Sequence, residues 1–117
     1  MPRKVRISTI AFQRAASPPS IAANIEKARR LLELACATEP DIVCLPETFA
    51  YMGVEGTSAE KAEPIPGPIT EMARAAAKAH GAYVICPLLE ARDGVVHNTA
   101  ALIDRAGEIV GQYDKIH

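Results

Sequence analysis

Two residues of opposite charge stand in settings that suit chemistry. Glu47 closes the run Asp41-Ile42-Val43-Cys44-Leu45-Pro46-Glu47, and Lys115 lies in Gly111-Gln112-Tyr113-Asp114-Lys115-Ile116-His117. A carboxylate partly withdrawn from water has its pKa raised toward the range of a general base. An ammonium beside it would stabilise a developing oxyanion. Together they would assist attack by a nucleophile on an electrophilic carbon. The bland alternatives are as concrete. An acid at a strand end commonly caps a loop amide, and a lysine near a chain end is ordinarily solvated. Spacing alone leaves both readings open.

The attacking group is harder to find. Of the three cysteines, Cys36 falls on a helical pattern, and Cys44 and Cys86 fall in apolar strand patterns. A thiol packed among apolar side chains is inert. Cys44 is three residues from Glu47, a separation that puts the two on opposite faces of an extended strand. His80, His97 and His117 are scattered and lack metal-ligand spacing. Phe49, Tyr51 and Met52 follow Glu47 and shape a substrate pocket, unless Phe49 and Met52 simply pin the loop to the core. Asn98 is expected to tether the loop beyond Glu47 through its amide.

These side chains need a frame, and the hydrophobic pattern supplies one. Val5 to Phe12 reads as a strand crowded with apolar residues. Ser17 or Ser20 would cap a helix with a proline in its first turn, and Ile21, Ile25, Ala28, Leu32 and Ala35 would form its buried face. Pro40 ends that helix, and Asp41 to Leu45 reads as a strand buried on both sides. Strand, helix, strand at this spacing is a βαβ unit with parallel strands. Thr48 to Pro68, rich in glycine and proline, reads as a long loop. Ile69, Met72, Ala73 and Ala76 mark a second helix that stops at Gly81. Strands follow at Tyr83–Leu89, about Val95–Ile103, and Glu108–Tyr113, with an Asp93-Gly94 hairpin turn between the first two. The class is α/β, with two helices for about five strands.

Bulk properties exclude several functions. The 117 residues suit one domain, with 49% hydrophobic and 23% charged residues, as in a folded protein. A net charge of -1 gives no electrostatic reason to bind nucleic acid or an anionic membrane. No apolar run reaches the roughly 20 residues of a membrane span. Three cysteines, an odd number without a framework, suit the reducing cytoplasm. The turn after the first strand, Gln13 to Pro19, holds no glycine to admit a phosphate.

Asp-Ile-Val-Cys-Leu-Pro-Glu-Thr, then Val96-His97-Asn98-Thr99-Ala100, then Gly-x-Tyr-x-Lys-x-His, in this order, resemble the nitrilase superfamily of carbon–nitrogen hydrolases. The resemblance covers nearly the whole chain, including the helix that bears Asn24 and the Pro-Gly-Pro segment before the second helix. It implies the N-terminal half of a four-layer α-β-β-α sandwich, and a Glu–Lys–Cys triad in which Glu47 matches the general base and Lys115 the lysine. The implied reaction is hydrolysis of a small amide, carbamoyl compound or nitrile through a thioester, without metal or organic cofactor. Family members commonly form homo-oligomers. In the family the nucleophile follows the lysine by a few tens of residues, whereas this sequence ends two residues after Lys115. Residues 1–117 are therefore expected to be a partial domain, truncated before the nucleophile elbow and inactive alone. The other expectation is a non-catalytic half-domain that self-associates or binds a partner through an uncovered sheet face.

Overall fold

The computed structural model describes residues 2–15 and 17–116. Five strands form one sheet in sequence order: β1 (Ile7–Thr9), β2 (Ile42–Cys44), β3 (Tyr83–Arg92), β4 (Val95–Ile103) and β5 (Ile109–Asp114). The first three run parallel, and β3, β4 and β5 then alternate in direction. Each parallel connection carries one long helix, α1 (Ile21–Cys36) after β1 and α3 (Pro68–His80) after β2. A single turn of helix, α2 (Ser58–Lys61), interrupts the segment read from sequence as loop. It has a capping box in which Thr57 and Glu60 satisfy each other's backbone amides.

Both long helices pack on the same side of the sheet. Ala28 and Leu32 of α1 and Ile69, Ala73 and Ala77 of α3 join Val43, Val84, Cys86, Leu88 and Ile103 in one buried cluster. Strand alternation sends the other residues to the opposite face, which no helix among the described residues covers. There Ile7, Leu102 and Tyr113 stay 64%, 37% and 63% exposed.

Helix α1 starts where its cap dictates. Ser20 Oγ accepts from the Ala23 amide at 3.0 Å, so Pro18 and Pro19 precede the helix instead of opening it. The buried stripe is Asn24, Ala28, Leu32 and Cys36, flanked by the partly buried Ile21, Ile25 and Ala35. An asparagine thus sits at the centre of an apolar stripe. Helix α3 stops at Gly81 in the left-handed region, φ 62°. The β3–β4 hairpin turns through Asp93 and Gly94, both with positive φ, the conformation that a two-residue turn between twisted strands demands.

Strand β1 is shorter than its apolar pattern, because its ladder runs along a three-residue partner, β2. Past the N-terminal ends of β2 and β3, Asp41 gathers three donors. The Arg6 amide reaches Oδ2 at 2.9 Å, and the Arg3 and Arg105 guanidiniums reach Oδ1 at 2.6 and 2.8 Å. These bonds, led by the Arg6 amide, hold the Asp41 carboxyl down at about 2. No helix among the described residues is long and apolar enough to cross a membrane.

Asn24 is fully buried. Its Oδ1 accepts from the Ala15 amide at 2.8 Å, and its Nδ2 donates to the carbonyls of Ala50 and Met52 at 3.0 and 3.1 Å. Replacement by alanine leaves three backbone groups short of a partner. We expect Asn24→Ala to lower unfolding stability by about 1–3 kcal/mol in urea titration; a loss below about 0.5 kcal/mol would show that water replaces the amide freely.

Candidate functional site

Strand β2 ends at Cys44, and Leu45 and Pro46 carry the chain past the rim to Glu47. The next residue, Thr48, has φ 60° and ψ 14°. A β-branched residue is rarely held in this left-handed region, and its Oγ1 donates to the Glu47 carbonyl at 2.7 Å. The chain then makes one 3-10 turn, Phe49–Tyr51, and all three residues are buried. Phe49 meets the ring of Phe12 edge-on at 5.8 Å between centroids. Tyr51 accepts the Leu89 amide at 2.9 Å, and burial pushes its phenol up to about 12. Phe49 takes the pinning role and Tyr51 shares it; neither these two nor the partly buried Met52 lines the cleft beside Glu47.

Glu47 and Lys115 come together. Lys115 Nζ donates to Glu47 Oε1 at 2.8 Å, and Asn98 Nδ2 donates to the same oxygen at 2.9 Å. The Lys115 amide also donates to the Asn98 carbonyl at 2.8 Å, continuing the β4–β5 ladder one residue past β5. Asn98 therefore fixes both partners, Glu47 through its side chain and Lys115 through its backbone. The expected tether to the loop beyond Glu47 belongs instead to Asn24, while Asn98 holds the carboxylate itself. Glu47, Asn98 and Lys115 line a cleft of about 220 Å³ with Pro87, Ala100 and Tyr113.

The electrostatics reverse one expectation. The Lys115 ammonium, and after it the Asn98 amide, hold the Glu47 carboxyl below the usual glutamate range. Desolvation, which was expected to raise it, is the weaker influence because the side chain is 51% exposed. The carboxylate is thus ionised at neutral pH and able to accept a proton, with a cation beside it able to face a forming anion.

The thiols lie elsewhere. Cys36 and Cys86 are buried, and desolvation pushes both upward, Cys86 strongly. Cys44 is partly buried and is not among the residues that line the cleft. His80 Nε2 lies 2.8 Å from Glu33 Oε2, His97 Nδ1 lies 3.6 Å from Asp114 Oδ2, and His117 falls outside the described residues. Among the described residues no three histidine, cysteine or acidic side chains converge as metal ligands.

The Glu47–Lys115 contact has a direct readout. In Lys115→Met the Glu47 carboxyl should titrate at a higher pH, closer to the ordinary glutamate value, as followed by side-chain carboxyl NMR. An unchanged midpoint would mean that the ammonium does not reach Oε1 in solution.

Comparison with known proteins places this geometry in a family. Residues 9–117 match the carbon-nitrogen hydrolase family. A deaminated glutathione amidase of Synechocystis sp. is 30% identical over 105 residues, covering 86% of this chain and 39% of the relative. An omega-amidase of Xenopus laevis is 33% identical over 115 residues, covering 97% of this chain and 41% of the relative. The chain thus spans about two fifths of the length of these relatives. The crystal structure of a CN-hydrolase superfamily protein from Xanthomonas campestris, with an arsenic adduct in its active site, superposes with a TM-score of 0.81 at 29% identity. That superposition covers 97% of this chain and 41% of the other. With its α/β half-sandwich and its matched sequence from the end of β1 through Lys115, the chain belongs to the carbon-nitrogen hydrolase family, the nitrilase superfamily.

Proposed function

We propose that residues 1–117 are the N-terminal part of an amidohydrolase domain and supply two members of a Glu–Lys–Cys triad. Glu47 acts as general base and Lys115 as oxyanion stabiliser. The observation that supports this reading most is the carboxylate oxygen shared by Lys115 and Asn98 at the rim of the sheet, facing a cleft. The third member is a cysteine other than Cys36, Cys44 and Cys86, since two of these are buried and none lines the cleft. Held without that cysteine, the pair does not turn over substrate.

The chemistry follows from the charges. Glu47 takes the thiol proton, and the thiolate sulfur bonds to the carbonyl carbon while the carbonyl π pair moves onto oxygen. An ammonium has three N–H donors, and Glu47 takes one, leaving others for the oxyanion. When the tetrahedral species collapses, the C–N bond breaks and the amine leaves with the proton held on Glu47. Water, deprotonated in turn by Glu47, then cleaves the thioester to acid and thiol. No metal or organic cofactor takes part. The two relatives described above are amidases, which supports a small amide as substrate, and a beta-ureidopropionase of Arabidopsis thaliana, 32% identical over 100 residues, keeps a carbamoyl compound as the alternative. The three free thiols suit a reducing, cytoplasmic setting.

Incubated with a small amide, the protein from its source cell should gain the mass of an acyl group on a cysteine other than these three. Glu47→Gln should slow that acylation by about 10²–10⁴-fold, the usual worth of a general base. Acylation at the wild-type rate in the variant, or an adduct on Cys36, Cys44 or Cys86, would overturn the assignment.

The uncovered sheet face motivates a second reading, in which the chain also acts as an association module. Ile7, Leu102 and Tyr113 present apolar surface on a sheet face that no helix among the described residues shields. Sedimentation velocity of residues 1–117 should then show concentration-dependent self-association; a stable monomer at high concentration would exclude it.

A further inference from the structure

The ion pair between Glu47 and Lys115 is formed by residues on separate elements. Glu47 follows β2, Lys115 follows β5, and β3 and β4 lie between. The cation therefore sits on target only if the end of β5 lies flush with the sheet. Strand β5 is the last in the sheet, and among the described strands its ladder runs along β4 alone. Strand ends held from one side fray most readily.

On the helix side of the sheet, opposite the cleft, a cluster of charges meets this strand end. Asp114 precedes Lys115 and by strand alternation points to the other face. Arg92 Nη2 of β3 donates to Asp114 Oδ2 at 2.8 Å, reaching past β4 to do so. Arg92 Nε lies 3.1 Å from Glu90 Oε1, off the line of a hydrogen bond, and the Glu90 side chain is only 7% exposed. His97 Nδ1 of β4 lies 3.6 Å from the same Asp114 oxygen, and Thr99 Oγ1 donates to the Tyr113 carbonyl at 3.0 Å. The Thr99 and His97 contacts tie β5 to its ladder neighbour; the Arg92 bond ties it to the far end of β3, beside the hairpin turn.

We infer that the Arg92–Asp114 pair is a positioning device for Lys115, clamping the end of β5 to β3 so that the ammonium on the opposite face meets Glu47. The inference rests on the proposed triad for its catalytic meaning, but the geometry it asserts can be tested without turnover. Its chemistry is consistent on both sides. Hydrogen bonding to Arg92 holds the Asp114 carboxyl below the usual aspartate range, and hydrogen bonding to Asp114 raises the Arg92 guanidinium. A planar guanidinium is suited to such a role, since its fixed fork sets direction as well as charge. Arg92 and Asp114 act through the backbone and the strand register, and neither touches the cleft.

The sign of one measurement separates positioning from simple electrostatics. Asp114→Asn removes a negative charge from the neighbourhood of Glu47, which by charge alone would lower the Glu47 midpoint. If the pair positions Lys115, the variant loosens the ammonium and the midpoint rises toward that of Lys115→Met. The Lys115 amide, bonded to the Asn98 carbonyl, should exchange with solvent at least about tenfold faster. The amides of Val84 and Cys86 in β3 should keep their protection. A Glu47 midpoint that falls or stays, with unchanged exchange at Lys115, overturns the inference. Should Asp114→Asn lose the fold, Arg92→Lys decides, because it keeps the charge and discards the fork. Its Glu47 midpoint rises if the pair positions the lysine and stays if it does not. Failure of the amidase reading would show in acylation and leave these titrations as they are.

Discussion

Backbone that leaves a strand inside a protein must find hydrogen-bond partners, and the turn after Glu47 finds two of them in one side chain. The amide of Asn24 satisfies the carbonyls of Ala50 and Met52 and accepts the amide of Ala15, all without help from regular structure. Remove that constraint and the 3-10 turn has no reason to lie where it does. Phe49 and Tyr51 then lose their seats, and Thr48 loses the surroundings that hold it in the left-handed region. Glu47 stands one residue upstream. Its position is thus set from beneath by a helix and from above by two strands.

The two rims of the sheet treat carboxylates differently. At one, Asp41 is gripped by two guanidiniums and a backbone amide and is fixed as an anion to about pH 2. That is a structural use of charge: every acceptor is taken by donors from distant parts of the chain. At the other, the donors to Glu47 converge on Oε1 alone, and the group stays half exposed. One carboxylate is locked and the other is held with an oxygen to spare.

Much of this was legible in the residues because the physics is local. The Asp93-Gly94 turn, the stop at Gly81 and the extent of β4 follow from conformations that few residues favour. The motif order marks Glu47 and Lys115 as candidates without reference to their geometry. What the sequence hid is what depends on distant partners. The Asn98–Glu47 bond spans 51 positions, so the sequence around Asn98 does not show that its partner is the carboxylate and not the loop beyond it. Asn24 did leave a signal, a polar residue amid the apolar stripe of α1, whose meaning needed the three carbonyl and amide groups around it. The pKa direction of Glu47 is not legible from its place at a strand end, because two donors and solvent exposure decide it. Strand β1 is shorter than its apolar pattern because such a pattern says nothing about the length of the neighbour it must pair with.

Because the strands stand side by side in the order they occur in the chain, the sheet can grow as a ribbon extended from one edge. Synthesis delivers the Glu47 loop together with α1, so its amide clamp can close early. The cation arrives only with the fifth strand, after β3 and β4 have been laid down between the two. The anchoring of the site is therefore graded along the chain: a buried amide holds the loop after the carboxylate, while the lysine depends on the last of the described strands.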